Sequence, residues 1–312
     1  MEWNPVTERE KLLSLLGDLP LEGPISAKLL KSEERDGYLL ETLVLDLNGI
    51  EPVPAFFAKP REGVGPFPLV IFNHSHGGNY ANGRNELIRN SPYLQEPTFA
   101  KVLTGMGCAV CCIDMWGFNE RGGKTESELV KEMLWTGRVM WGMMLHDNRR
   151  LLDYMCGRED IDASRVATIG MSMGGLMAWW LAALDERVKV TIDICGQVEA
   201  RTLIAKRGLD HHGFYSYVPG LLKHFATLDI QKLIVPRPRM SLVGRNDRLC
   251  PPEGVELLAD GLRRAYEEAG KPEHWQPFIG GGGHMETAEM RAAWQPFLAR
   301  HLNLQLPGEL EP

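Results

Sequence analysis

Six short runs of this 312-residue chain are apolar at most positions: FPLVIFN (67–73), GCAVCCIDM (107–115), RVATIG (165–170), VKVTIDIC (188–195), MSLVG (240–244) and WQPFI (275–279). A strand wetted on one side alternates apolar and polar residues. A run without that alternation needs cover on both sides, as in a parallel sheet. Helix-length patterns separate the runs at roughly 97–105, 173–184, 252–268 and 287–302, and a longer one starts near Thr125 and continues with breaks to about Cys156. Strand and helix in alternation predict an α/β fold, a mostly parallel sheet with helices on both faces. Ahead of these runs, residues 38–48 alternate and 52–58 follow after a glycine-containing turn, which predicts an antiparallel hairpin.

No repeat, low-complexity stretch or Pro/Ser-rich linker divides residues 1–312, so one domain is expected. Residues 1–37 read as a helical extension, with Thr7 and Glu10 in the spacing of a capping box and Gly17 as a stop. Residues 196–236, the longest connection that is not plainly one helix, read as a cap-like insertion over the carboxyl edge of the sheet. The net charge is 34 − 41 = −7 without a basic patch, which argues against nucleic acid or an anionic membrane as partner. No run of 18 apolar residues occurs, and the opening MEWNPVTEREKLL lacks a basic stretch followed by an apolar core. The six cysteines show no disulfide spacing, and Cys111 and Cys112 would face opposite sides of one strand. Free thiols in a cytoplasmic protein are the expectation.

In an open parallel sheet the site lies beyond the carboxyl ends of the strands. Beyond RVATIG the chain reads Gly170-Met171-Ser172-Met173-Gly174-Gly175, a G-x-S-x-G followed by the apolar helix LMAWWLAAL. Glycines two residues to either side let strand and helix approach, and the sharp turn lifts the serine hydroxyl above the sheet at a helix N-terminus. Beyond MSLVG comes Asp247, a candidate acid; Asp193, its rival, lies inside a strand rather than beyond it. Beyond WQPFI, four glycines lead into His284. The order Ser172, Asp247, His284 suits a nucleophile, an acid that orients the imidazole, and a base that takes the hydroxyl proton. Beyond FPLVIFN comes His74-Ser75-His76-Gly77-Gly78. This loop and the residue after the nucleophile are where oxyanion donors are expected: the N–H of Met173 and the N–H of His76, with Gly77 next. The alternative for His74 and His76 is zinc ligation, which wants further ligands that no continuation of the motif supplies. Asp114–Arg121 follows a strand and could line the pocket, with Glu120 and Arg121 by default in a solvated loop. Trp179 and Trp180 read as core. Met143, Met144, Met171 and Met173 offer a soft acyl pocket or simple gap filling. Cys250 has neither an elbow nor a base motif, so it is not expected to act as a nucleophile.

These residues resemble an α/β-hydrolase of the dienelactone-hydrolase and acetyl-xylan-esterase neighbourhood, within its bacterial serine hydrolases. The resembling stretches are HSHGG (74–78), DMWGFNER (114–121), LHDNRRLLDYMCGREDIDASRVATIGMSMGG (145–175), ALDERVKVTIDICG (183–196), YVPGLLKHF (217–225), LIVPRPRMSLVGRNDRLCPPEG (233–254) and GHMETAEMR (283–291), with REKLLSLLGDLP (9–20) as a leader helix. The resemblance implies an eight-stranded sheet, Ser172 as nucleophile, Asp247 as acid, His284 as base, and ester hydrolysis through an acyl-enzyme without cofactor or metal. The chain departs from the group at two places. A dienelactone hydrolase would carry cysteine where Ser172 stands, and the acetyl-xylan esterases usually show H-G-Y and G-x-S-Q-G-G where this chain has His74-Ser75-His76 and Gly170–Gly175. The expectation is therefore a serine esterase acting on a small-molecule carboxylic ester. The alternatives are an acylaminoacyl or peptidase-type hydrolase, for which about 65 residues before the third predicted strand leave too little chain for a propeller, and a binding protein on a hydrolase scaffold.

Overall fold

The computed structural model describes residues 3–89 and 91–304; the outermost residues of the expected 1–312 domain lie outside these. In chain order the elements are α1 (Pro5–Ser14), β1 (Ser26–Arg35), β2 (Tyr38–Asp46), β3 (Val53–Pro60), β4 (Phe67–Asn73), α2 (Phe99–Gly105), β5 (Ala109–Ile113), α3 (Glu126–Trp135), α4 (Met140–Cys156), β6 (Ile161–Met171), α5 (Met173–Leu184), β7 (Val188–Ile194), α6 (Ala200–Ala205), α7 (Thr227–Lys232), β8 (Arg239–Gly244), α8 (Pro252–Glu268), β9 (Trp275–Gly280) and α9 (Ala288–Leu302). One nine-stranded sheet has the order β1-β2-β3-β5-β4-β6-β7-β8-β9. The pairs from β1 through β3 to β5 are antiparallel and all pairs from β5 to β9 are parallel.

The apolar runs become strands with two covered faces. In β4, Leu69 and Ile71 enter one core cluster and Val70 and Phe72 the other. In β5, Cys111 and Cys112 likewise go to opposite sides, and neither is bonded to another cysteine. The first layer is closed by α1, α3, α4 and α5; the second by α2 and α9, where Phe99 stacks on Trp294 at 5.6 Å. Strand β9 is an edge, paired with β8 alone, which is why Pro277 is tolerated in it.

Two expectations need correction. The sheet has nine strands rather than eight, because the stretch expected as a helical extension is helical only at α1 and then forms β1. That strand, SAKLLKSEER, is exposed along nearly all its length at the edge of the sheet, so it carries no apolar periodicity, and its charges suit an unpaired edge. Helix α1 is capped by Asn4, whose side chain accepts from the N–H groups of Val6 and Thr7, rather than by Thr7. Pro5 supplies the pre-set first helical residue. The long pattern from Thr125 is two helices. Thr125 and Glu128 do form the capping box of α3, but the chain turns at Gly137 (φ +79°) before α4 begins.

Candidate active site

Strand β6 delivers the sharp turn that carries Ser172. Ser172 has φ 57° and ψ −119°, a backbone state that a non-glycine residue holds only under strain, and Met173 begins α5 directly after it. The flanking glycines are required by contact: a Cβ on Gly170 would collide with the carbonyl of Gly174, and one on Gly174 with the carbonyl of Asn73 at the end of β4.

Beyond β8 lies Asp247 and beyond β9 lies His284. The imidazole stands between the other two groups, with Nε2 2.8 Å from Ser172 Oγ and Nδ1 2.8 Å from Asp247 Oδ2. Nδ1–H donates to the carboxylate, which leaves Nε2 to accept from the serine hydroxyl. Asp247 is buried, and burial pushes its carboxyl up. The hydrogen bond and charge of His284, with the N–H of Leu249 at 2.9 Å, outweigh this and hold it below the usual carboxylate range. Asp193 does not compete for this place. It is fully buried inside β7, paired with Arg239 at 3.0 Å and bonded to the hydroxyl of Ser241 at 2.7 Å.

Loop 74–78 leaves β4, the strand beside β6, and its first carbonyls press against Gly174 of the elbow. Among the described residues the N–H groups of His76 and Gly77 carry no hydrogen bond, and Met173 at the first position of α5 has no acceptor within its own helix. The side chain of His76 is fixed. Nδ1 accepts from the N–H of Gly78 at 3.1 Å, Nε2–H donates to Glu126 at 2.8 Å, and the ring stacks on Tyr215 at 5.5 Å. His74 is equally committed, with Met115 N–H donating to Nε2 at 3.1 Å and Nδ1–H donating to the Ser75 carbonyl at 2.9 Å. All four ring nitrogens are thus engaged, which leaves no lone pair for a zinc at this H-x-H. Cys195, Asp247 and His284 have donor atoms within 4.8 Å of one another. Burial, however, pushes the Cys195 thiol well up, while a metal ligand must be a thiolate, and His284 and Asp247 already share their hydrogen bond. Burial also pushes the Cys250 thiol well up, which removes it as a nucleophile.

Several supporting residues have no signal in the sequence. Glu126, 5% exposed at the start of α3, accepts from His76, from Tyr80 at 3.3 Å and from the N–H of Phe214 in the 196–236 segment. It therefore joins the 74–78 loop to that segment. Its carboxyl is pushed up by burial, but its donors, His76 above all, bring it below the usual range. Glu86 accepts from the N–H and hydroxyl of Ser75, from Ser91 and from Tyr93 at 2.6–2.9 Å. Glu286, two residues after His284, accepts from Arg291, Trp294 and the N–H of Gln95, while its own N–H donates to the Tyr93 carbonyl at 2.8 Å. The solvated default for the loop at 114–121 holds at Glu120, whose side chain is exposed, and fails at Arg121, which is buried. Arg84 bridges Asp114 and Glu120, and Arg121 pairs with Glu51 at 2.6 Å and with buried Asp147 at 2.8 Å. Met143, Met144, Met171 and Met173 fill the core, with none on the wall of the cavity of about 470 Å³ beneath 196–236; Trp179 and Trp180 are core residues that also line it.

Comparison with known proteins agrees with this architecture. The chain is 52% identical over 294 residues to the protein named "Putative hydrolase YtaP" of Bacillus subtilis (strain 168), covering 94% of this chain and 98% of that one. Among solved structures, a glucuronoyl esterase from Solibacter usitatus superposes with a TM-score of 0.68 at 17% identity, over 94% of this chain and 91% of the other. An acetyl xylan esterase from Paenibacillus sp. R4 superposes with a TM-score of 0.63 at 20% identity, over 95% and 94%. At these identities the two structures establish the α/β-hydrolase fold alone. The profile of the prolyl oligopeptidase family matches residues 97–303, so the chain is a member of that family within the α/β-hydrolase superfamily.

Proposed function

We propose that this protein is a serine esterase that cleaves a small-molecule carboxylic ester through an acyl-enzyme on Ser172. The observation that carries the reading is the His284 ring, 2.8 Å from both the hydroxyl of Ser172 and the carboxylate of Asp247. Ser172 Oγ attacks the ester carbonyl while His284 Nε2 takes its proton. The N–H of Met173 and that of His76, with Gly77 next to it, receive the developing oxyanion. One such donor contributes about 2.7–4 kcal/mol. His284 then protonates the departing alkoxide, removes a proton from water, and returns it to Ser172 as the acid leaves. Asp247 stays ionised throughout, holding the imidazole in its tautomer and stabilising the imidazolium. Every proton moves between groups of this chain, substrate and water, so the reading calls for no cofactor or metal. Serine in place of cysteine argues against dienelactone chemistry.

Ser172→Ala is expected to abolish hydrolysis of p-nitrophenyl acetate while the protein stays folded, and a fluorophosphonate is expected to label the natural protein at Ser172. Full activity in the pure variant, or no labelling, overturns the reading; a binding protein on this scaffold would not be labelled. The family match over 97–303 also favours a second reading, cleavage of a peptide or acylaminoacyl amide by the same groups. Paired p-nitroanilide and p-nitrophenyl substrates of one acyl group decide between them. An amide rate close to the ester rate would replace the first reading by the second.

A further inference from the structure

The cavity of about 470 Å³ runs along the face of α5 that begins at the nucleophile. Leu176, Trp179 and Trp180 stand four, seven and eight residues after Ser172, the spacing of one helical face, and Leu176 N–H donates to the Ser172 carbonyl at 2.9 Å. The opposite wall is built by the 196–236 segment, chiefly Val198, Leu203, Val218, Leu221 and Ile230. The volume lies in the range of about 300–1,000 Å³ usual for small-molecule sites. His212 also lines the wall, and the charges of His284 and Asp247 act on its ring. Its Nε2 is buried without a hydrogen-bond partner among the described residues.

Resting on the serine-esterase reading, we infer that this cavity holds the acyl part of the substrate, and that the acid is a hydrophobic aliphatic chain or aryl group. Two arguments lead there. The polar side chains on the wall are few: His212, Ser216, Tyr217, Lys223 and Thr227; the Thr227 hydroxyl already accepts from the Ala200 N–H at 3.2 Å, and the Tyr217 hydroxyl donates to the Leu209 carbonyl at 3.4 Å. A sugar acid brings several hydroxyls, each costly to bury unpaired, whereas an alkyl or aryl group matches the tryptophans and leucines. Secondly, the acyl group stays bonded to Ser172 Oγ through both half-reactions, while the alcohol leaves after the first. A recess along the face of the helix that begins at Ser172 suits the group that stays.

The test is the kcat/KM ratio of p-nitrophenyl hexanoate to p-nitrophenyl acetate. Each methylene that enters such a site raises it about fourfold, so the ratio should exceed tenfold and can reach roughly 10²-fold. Ala200→Trp, which fills the cavity from α6, should lower that ratio at least tenfold; Leu203→Ala, which enlarges it, should move the optimum to longer chains. A preference for acetate in the natural protein, or an unchanged ratio in folded Ala200→Trp, overturns the inference. If Ala200→Trp does not fold, an unmoved optimum in Leu203→Ala overturns it instead. Ser172 labelled by fluorophosphonate together with an acetate preference removes the acyl site alone. No ester cleaved and no label at Ser172 removes the esterase reading with it.

Discussion

Replacing Glu126 by glutamine tests whether the 74–78 loop, proposed to carry the oxyanion donors, is held from behind. The carboxylate accepts from His76 Nε2–H on one oxygen and from the Phe214 N–H on the other. A glutamine of the same shape has one accepting oxygen, so one of these two donors must face an NH₂ group. Leaving a buried donor unsatisfied costs about 1–3 kcal/mol. Because His76 is also tied through Gly78, its side chain cannot turn without moving the loop that carries the His76 and Gly77 N–H groups. The ceiling for the catalytic loss is the worth of one oxyanion donor, about 2.7–4 kcal/mol or roughly 10²–10³-fold in kcat. The expected outcome for Glu126→Gln is a kcat on p-nitrophenyl acetate lowered by about 10–10²-fold with KM within a few-fold, since the donor acts on the transition state. Glu126→Asp, which keeps two accepting oxygens, should recover part of the loss. A lower melting temperature with kcat unchanged would refute the reasoning and leave Glu126 as a residue of the fold alone.

Asp247→Asn preserves shape but offers His284 an amide in place of a carboxylate. The imidazole then loses its fixed tautomer, and kcat should fall by about 10⁴-fold with KM little changed, measured in steady-state ester hydrolysis. A loss under tenfold would remove Asp247 from the relay. Stability should depend on pH through buried histidines. Burial pushes His74 and His146 down, and His301 down to about 4. An unfolded histidine titrates near 6.5, so the unfolded chain binds protons first. Their contribution is complete above about pH 6.5 and is lost as pH falls through the lower folded values. The melting temperature should therefore fall between pH 7 and pH 5, before most carboxylates protonate, and a flat profile over that window would contradict it.

The legible part of this protein is what local pattern encodes. The eight strands from β2 to β9 were visible because each is apolar or alternating, and Ser172 and His284 because glycines must surround a sharp elbow and a loop over the sheet edge. β1 was invisible because an exposed edge strand of lysines and glutamates looks like any solvated segment. Glu126 was invisible because its partners lie 50 and 88 residues away and only the fold brings them together. Trp179 and Trp180 read as core, which they are. Their second role appears only when the 196–236 segment is in place to make the facing wall.

Tyr93 meets both loops of the proposed catalytic site. Its hydroxyl lies 2.5 Å from that of Ser75 in the loop after β4, and its carbonyl accepts from Glu286, just beyond the imidazole. A shift in one loop is therefore passed to the other through a single residue. The proposed oxyanion donors and the His284 ring therefore share one support. A mutational survey should find few variants that weaken one and spare the other, and an engineer seeking to retune either would have to recast this tether first.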